Sequence, residues 1–204
     1  MGDNKQLINS LIEKGVLKSE RIIKAFQDID RIDFVIDECK DLAYFDIALP
    51  IGFKQTISQP YTVAFMLELL DVKEGQEVLD IGTGSGWTTA LLSKIVGQEG
   101  FVEGKEVIED LVRVGRSNLA KYKIKNARIT SAQKGVLGIP GKKFDRILIS
   151  ASANKFSKEL LKQIKTGGVI VLPIKESIVK ISKKDKESIT KEEYYGFSFV
   201  PLVE

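Results

Sequence analysis

The chain has 204 residues, 43% hydrophobic and 29% charged, enough for one α/β domain with a sizeable core and a well-solvated surface. Its 31 basic and 28 acidic side chains leave a formal charge of +3, without the clustered basic excess of a polyanion binder, so no nucleic-acid partner is expected. Histidine is absent and Cys39 is the one cysteine, which excludes an intramolecular disulfide and any His-based triad and leaves no ligand set for zinc; no metal is expected.

At the N-terminus, MGDNKQLINS holds no apolar core for a signal peptide, and Asp3 and Gln6 break the myristoylation pattern. No apolar run is long enough to span a bilayer, and a single cysteine suits a reducing compartment; beside Asp37 and Glu38 it would not be an activated thiolate. A cytoplasmic monomer free of the membrane is the expectation. Leu7, Ile8, Leu11 and Ile12 recur at helical spacing over residues 5–15, with Gly15 as the stop, and a second helix starts after Ser19 with Ile22, Ile23 and Phe26 inward. Residues 29–36 form a short apolar-rich connection, and 40–59 read as extended chain and loop. Pro60 suits the first turn of a helix, where its missing N–H would be unpaired anyway; Val63, Met66, Leu67 and Leu70 give that helix its apolar stripe. From residue 76 strands and helices alternate, with strands over 77–81, 101–105, 127–131, 144–150 and 168–174 and helices over 87–96, 107–122 and 157–165. This predicts an α/β fold whose mainly parallel sheet carries helices on both faces. Two late alternating segments, 177–182 and 194–200, make seven strands and flank a charged, solvated hairpin tip over 183–193, KKDKESITKEE. With no internal repeat and no low-complexity linker, residues 1–204 read as one domain with an N-terminal helical cap.

The strongest motif is Asp80-Ile81-Gly82-Thr83-Gly84-Ser85-Gly86, at the end of the first strand of the alternating region and at the opening of a helix. Glycines there let the backbone approach a ligand. With glycines at 82, 84 and 86 and Trp87 next, the dinucleotide fingerprint is not matched. An acid two residues before G-x-G-x-G instead resembles motif I of class I methyltransferases; a structural glycine turn is the competing reading. Glu106, at the end of the next strand, could accept both ribose hydroxyls of a nucleoside, or could simply favour the start of the following helix. Upstream, Thr56 and Ser58 place hydroxyls just before a helix N-terminus, whose free N–H groups favour an anion. Ser58 could equally be a plain N-cap.

The run Leu49-Pro50-Ile51-Gly52-Phe53-Lys54-Gln55-Thr56-Ile57-Ser58-Gln59-Pro60 closely resembles the signature of protein-L-isoaspartate O-methyltransferases, in which Q-T-I-S-Q-P precedes a helix ending in E-L-L, here Glu68-Leu69-Leu70. The likeness extends through Arg31-Ile32-Asp33-Phe34-Val35, Ala43-Tyr44-Phe45-Asp46, Phe144-Asp145-Arg146-Ile147, Gln163-Ile164-Lys165-Thr166-Gly167-Gly168 and Phe199-Val200-Pro201-Leu202, so it covers nearly the whole chain. It implies a Rossmann-like doubly wound fold, in which residues 1–60 form the helical cap and substrate loop and 61–204 the cofactor-binding core. It also implies methyl transfer from S-adenosylmethionine, with S-adenosylhomocysteine as product, to the α-carboxylate of L-isoaspartyl residues in damaged proteins and peptides. The ester then cyclises spontaneously to a succinimide, whose hydrolysis returns some normal aspartate. A carboxylate is already ionised at neutral pH and needs no general base, so the lack of histidine is no obstacle. By the same resemblance the cofactor contacts fall to Gln55, Thr56, Ile57, Asp80, Gly82, Thr83, Gly84, Ser85, Gly86, Glu106 and Gly135. The substrate contacts fall to Thr56, Ser58, Ala151 and Ser152, with Ser58 orienting the carboxylate.

One position departs from the pattern. Family members usually carry Gly-Asp-Gly after the third strand, the Asp accepting from the adenine amino group; here Gln133-Lys134-Gly135 stands there. Lys is a pure donor, so Lys134 should turn to solvent or find an acid; the Gln133 side-chain carbonyl could accept in its place, and otherwise cofactor binding is weakened. The chain ends at Glu204, so contacts drawn elsewhere from a longer tail are expected to be missing. Two other readings stay open: a relative that binds the cofactor with weak or no turnover, and a methyltransferase for a different carboxylate. Base methylation is disfavoured, because Ile149-Ser150-Ala151-Ser152-Ala153-Asn154 lacks the proline-containing motif of amino-directed base methyltransferases.

Overall fold

Two N-terminal helices, α1 (Asn4–Glu13) and α2 (Glu20–Asp28), lead through 3-10 turns at Arg31–Phe34 and Asp37–Leu42 to a hairpin of β1 (Leu49–Gly52) and β2 (Gln55–Ile57) and then to α3 (Pro60–Leu70). The chain continues as β3 (Glu77–Ile81), α4 (Trp87–Val96), β4 (Phe101–Glu106), α5 (Glu109–Lys121), β5 (Ala127–Ser131), β6 (Phe144–Ile149), α6 (Glu159–Lys162), β7 (Ile164–Ile174), β8 (Ser177–Lys183) and β9 (Ile189–Tyr195). The computed structural model describes residues 2–152, 155–185 and 188–199.

The seven strands from β3 onward form one sheet in the order β5-β4-β3-β6-β7-β8-β9. Neighbours from β5 to β7 are parallel, and β8 and β9 close the sheet antiparallel. Val78, Leu79 and Ile81 of β3 and Ile147, Leu148 and Ile149 of β6 are all buried. Such near-continuous buried apolar runs, broken in β3 only by Asp80, mark strands covered on both faces. On one face Leu91, Leu92 and Val96 of α4 and Leu111 and Val112 of α5 join Leu11 and Phe26 of the N-terminal helices in a single core. Phe26 meets Trp87 edge-on, ring centres 5.6 Å apart, so the cap completes the core of the sheet. On the other face Leu160 of α6 packs with Leu79, Phe144, Ile147 and Ile170.

Three expectations are corrected. The helix expected over 157–165 is only Glu159–Lys162, because β7 starts at Ile164 rather than at residue 168. Its register against β6 jumps from Phe144↔Ile164 to Arg146↔Val169, an irregularity that absorbs Gly167 and Gly168 inside the strand. The last strand is Ile189–Tyr195 instead of 194–200, and the supposed tip 183–193 is largely ladder, paired from Lys183↔Ile189 to Ser177↔Tyr195. Its charges lie along the edge of the sheet, where they discourage pairing with other chains, while Tyr194 packs edge-on against Phe65 at 5.3 Å. Within 40–59, read as extended chain and loop, residues 49–57 form a true hairpin, turned by Gly52, Phe53 and Lys54, all at positive φ.

The sheet order reverses around β3. The connection from β3 through β4 to β5 runs one way, and β6 returns to the other side of β3. The carboxyl ends of β3 and β6 therefore border the crevice in which open α/β sheets bind ligands.

Candidate active site

The loop after β3 is shaped by its glycines. Gly84 and Gly86 take φ of 53° and 86°, and a Cβ on Gly86 would come within 3.2 Å of the Gly115 backbone on α5. The loop can thus lie flat against α5 only without side chains there. Asp80 sits beneath it, fully buried. Its carboxylate accepts from the hydroxyls of Thr89 at 2.6 Å, Thr88 at 2.8 Å and Ser150 at 3.4 Å. Burial pushes this carboxyl up to about 6; the three hydroxyls pull it back down and the charge of Glu106 adds a little upward. A carboxyl raised above its unfolded value favours the folded state while protonated. Stability is therefore expected to fall as pH rises from about 4 through about 6, by roughly 3 kcal/mol, and to level off above. Denaturant titrations of the protein and of Asp80→Asn across this range should diverge by that component; parallel profiles would contradict it.

Glu106 ends β4 with only 6% of its surface exposed. Its Oε1 accepts from the N–H groups of Val107 at 2.8 Å and Ile108 at 3.0 Å, and its Oε2 from Gly84 N–H at 2.9 Å. Three backbone donors thus fix its orientation and tie it to the glycine loop, and Oε2 keeps acceptor capacity for a hydroxyl.

Gly82, Gly84 and Glu106 help to wall a cavity of about 820 Å³, within the range of small-molecule sites. Of the residues the sequence pointed to, Gln55, Thr56, Gly82, Gly84, Glu106, Gly135 and Ala151 line it. Asp80, Ile57, Thr83, Ser85 and Gly86 do not: Asp80 braces the loop from below, Ile57 is buried, and the Ser85 carbonyl accepts from Asn118 at 2.9 Å. The sequence reading missed the apolar walls Ile81, Ile108, Leu137 and Phe156 and the cations Lys105, Lys155 and Lys158. Ile81 and Lys105 lie at the ends of β3 and β4, Ile108 just past β4, and Lys155, Phe156 and Lys158 just before α6, so reading on from each strand end would have found most of them. Gln133 and Lys134 also line the cavity, both exposed. Lys134 has turned to solvent, with no hydrogen bond or ion pair among the described residues.

A second cavity, of about 1050 Å³, lies next to the first and shares Thr56 and Ser150 with it. Ser58 lines it together with Lys14, Asp46, Tyr61, Thr62 and the segment 195–199. Ser58 is not the N-cap of α3: that position is Gln59, which makes no capping bond through its side chain. The capping acid arrives from a distant segment instead, as Asp46 accepts from Tyr61 N–H at 2.8 Å and pairs with Lys14 at 2.7 Å. The Ser58 hydroxyl is left with no protein partner among the described residues. Ser152 lies outside both cavities and donates to the Lys175 carbonyl at 3.4 Å. Ala153 and Val200 to Leu202 fall outside the described residues.

A doubly wound sheet of this order, a G-x-G-x-G loop at its switch point and an anchored acid at the end of the next strand define a class I methyltransferase that uses S-adenosylmethionine. More narrowly, the family model for protein-L-isoaspartate(D-aspartate) O-methyltransferase matches residues 2–204, and the chain belongs to that family. It is 37% identical over 205 residues to the protein-L-isoaspartate O-methyltransferase of Pyrococcus horikoshii, with 98% of this chain and 92% of that one covered. It is 40% identical to that of Flavobacterium psychrophilum, over 100% and 95% of the two chains. In three dimensions it matches a Plasmodium falciparum structure described as a beta-aspartate methyltransferase in complex with S-adenosyl-L-homocysteine. The TM-score is 0.85 over 99% of both chains, and at 24% identity this likeness concerns the fold. No helix among the described residues is long and apolar enough to cross a membrane.

Proposed function

We propose that the protein methylates the α-carboxylate of L-isoaspartyl residues in damaged proteins and peptides, as a repair enzyme. The observation that carries this is the meeting of the two cavities at Thr56 and Ser150. Gly82, Gly84, Glu106 and the apolar walls suit a nucleoside: a buried, oriented carboxylate for ribose, flat backbone beside it and oily faces for a base. Bound there, S-adenosylmethionine supplies an activated methyl on its sulfonium. Thr56 and Ser58 present hydroxyls in the second cavity at the start of α3, whose N-terminus favours an acid group. Lys14 neutralises Asp46, which would otherwise repel an anionic substrate. Catalysis then consists of holding an ionised carboxylate close to the donor and in line with it. Ser58 orients the acid, and no residue needs to take a proton.

The test is incubation with labelled S-adenosylmethionine and one peptide in isoaspartyl and aspartyl forms. Label should enter the isoaspartyl peptide alone; label in neither at high cofactor concentration contradicts the proposal. Residues 1–60 serve in this reading as cap and substrate loop on the core 61–204, in a cytoplasmic monomer that needs neither membrane nor nucleic acid. Sedimentation of the purified protein tests the monomer.

The exposed Lys134 favours a second reading, a cofactor-binding relative with little turnover. Lys134→Asp is expected to tighten S-adenosylhomocysteine binding by about 3- to 100-fold, the worth of one regained hydrogen bond. Calorimetry measures it. Tight binding by the unaltered protein together with isoaspartyl turnover removes this second reading.

A further inference from the structure

Arg31 opens the 3-10 turn Arg31–Phe34 and has no exposed surface. No carboxylate lies within ion-pair distance of it among the described residues; its partners are four backbone carbonyls. Nη1 donates to Ala43 at 2.7 Å and Phe45 at 3.2 Å, and Nη2 to Ile47 at 2.8 Å and Ser58 at 3.2 Å. Nε has no partner among the described residues. Burial pushes the guanidinium down to about 10, with the charge of Asp46 pulling the other way. The guanidinium carbon lies 5.3 Å from the ring centre of Trp87, the residue that follows Gly86.

A buried cation without a paired acid is a poor way to stabilise a core, since an apolar side chain of similar volume would avoid the desolvation cost. The positions of the four carbonyls give it another meaning. Phe45 and Ile47 bracket Asp46, whose carboxylate caps α3, and the fourth carbonyl belongs to Ser58, whose hydroxyl serves the second cavity. The planar fork of a guanidinium can hold all four at once, and the point charge of a lysine cannot.

We propose that Arg31 is a positioning residue, whose guanidinium holds the 43–47 segment and Ser58 in register with Trp87 and the glycine loop. The acid-receiving wall of the second cavity thereby faces the cofactor cavity correctly. This rests on the reading of Ser58 as the residue that orients the carboxylate.

Arg31→Lys, which keeps the charge and loses the fork, is the first variant. It should lower kcat on an isoaspartyl peptide at least tenfold, leave the Kd of S-adenosylhomocysteine within about threefold, and speed amide hydrogen exchange across 43–58. A kcat within threefold of the unaltered protein overturns the proposal. So does a parallel loss of kcat and cofactor affinity, the mark of general loosening. Arg31→Met fills the volume without donors and serves if the lysine variant does not fold: a stable Met variant with unimpaired kcat is equally fatal. Failure of the unaltered protein to methylate the peptide sinks the isoaspartyl reading instead. Exchange across 43–58 then decides on Arg31 alone, and unchanged rates in Arg31→Lys refute it.

Discussion

Ser58→Ala is expected to reduce kcat on an isoaspartyl peptide by about 10- to 100-fold, with the S-adenosylhomocysteine Kd unchanged within about twofold. A hydroxyl donating to a carboxylate is a charge-assisted bond, worth roughly 1.5–3 kcal/mol when it is made to the group that reacts. Ser58 lines the second cavity and not the first, so the cofactor should not register its loss. Its hydroxyl makes no protein hydrogen bond among the described residues, and the capping bond at α3 comes from Asp46, so alanine should also leave the melting temperature nearly unchanged. Were Ser58 the cap after all, its removal would cost about 1 kcal/mol of stability and spare kcat. Thermal melts, calorimetry and single-turnover rates on one variant therefore separate the two roles, and a rate equal to that of the unaltered enzyme would remove Ser58 from the mechanism.

That ambiguity shows where sequence reading reaches its limit. A serine two residues before Pro60 looks like a cap because capping is local in most helices. Here the capping acid is Asp46, 15 residues upstream, brought in by a segment whose carbonyls are gathered by Arg31. Nothing in the spacing of residues 58–63 announces that. The parallel core was legible for the opposite reason. Its central strands β3 and β6 are rich in apolar residues, and helices follow β3, β4 and β6, a pattern that burial on both faces enforces. β9 was misread because an edge strand is selected for charge rather than for apolar alternation, so Thr190 to Glu193 resemble a loop. The glycine loop was legible in kind and less so in detail. Sequence could say that backbone approaches a ligand near Gly82–Gly86, but not that Asp80 braces it from beneath through Thr88 and Thr89 while Thr83 stays outside the cavity lining. Arg31 was visible as part of a motif, and its role was not, because four acceptors drawn from two loops leave no mark on local sequence.

Glu106→Gln is expected to weaken S-adenosylhomocysteine binding by about 10- to 100-fold. The amide is nearly isosteric, so packing is preserved and the change is one of hydrogen-bonding character. In the native site every protein partner of this carboxylate is a donor: Val107 N–H and Ile108 N–H on Oε1, Gly84 N–H on Oε2. Glutamine must set its NH2 against one of those two sets. Turned toward Val107 and Ile108 it opposes two donors and loosens the entry to α5. Turned toward Gly84 it opposes one donor and offers the ribose a group that can only donate. The second arrangement is the less costly, and it destroys the feature a nucleoside needs. Two measurements on the variant decide what Glu106 does. If it only steadies the chain before α5, the protein without cofactor will unfold at lower denaturant while its affinity for S-adenosylhomocysteine stays as it was. If it receives the ribose, affinity falls by the stated factor, and kcat at saturating cofactor recovers most of its native value, because Ser58 and the α3 N-terminus are untouched. Unaltered affinity would leave the 820 Å³ cavity without its anchoring acid, and the assignment of that cavity to the adenosyl group would fail with it.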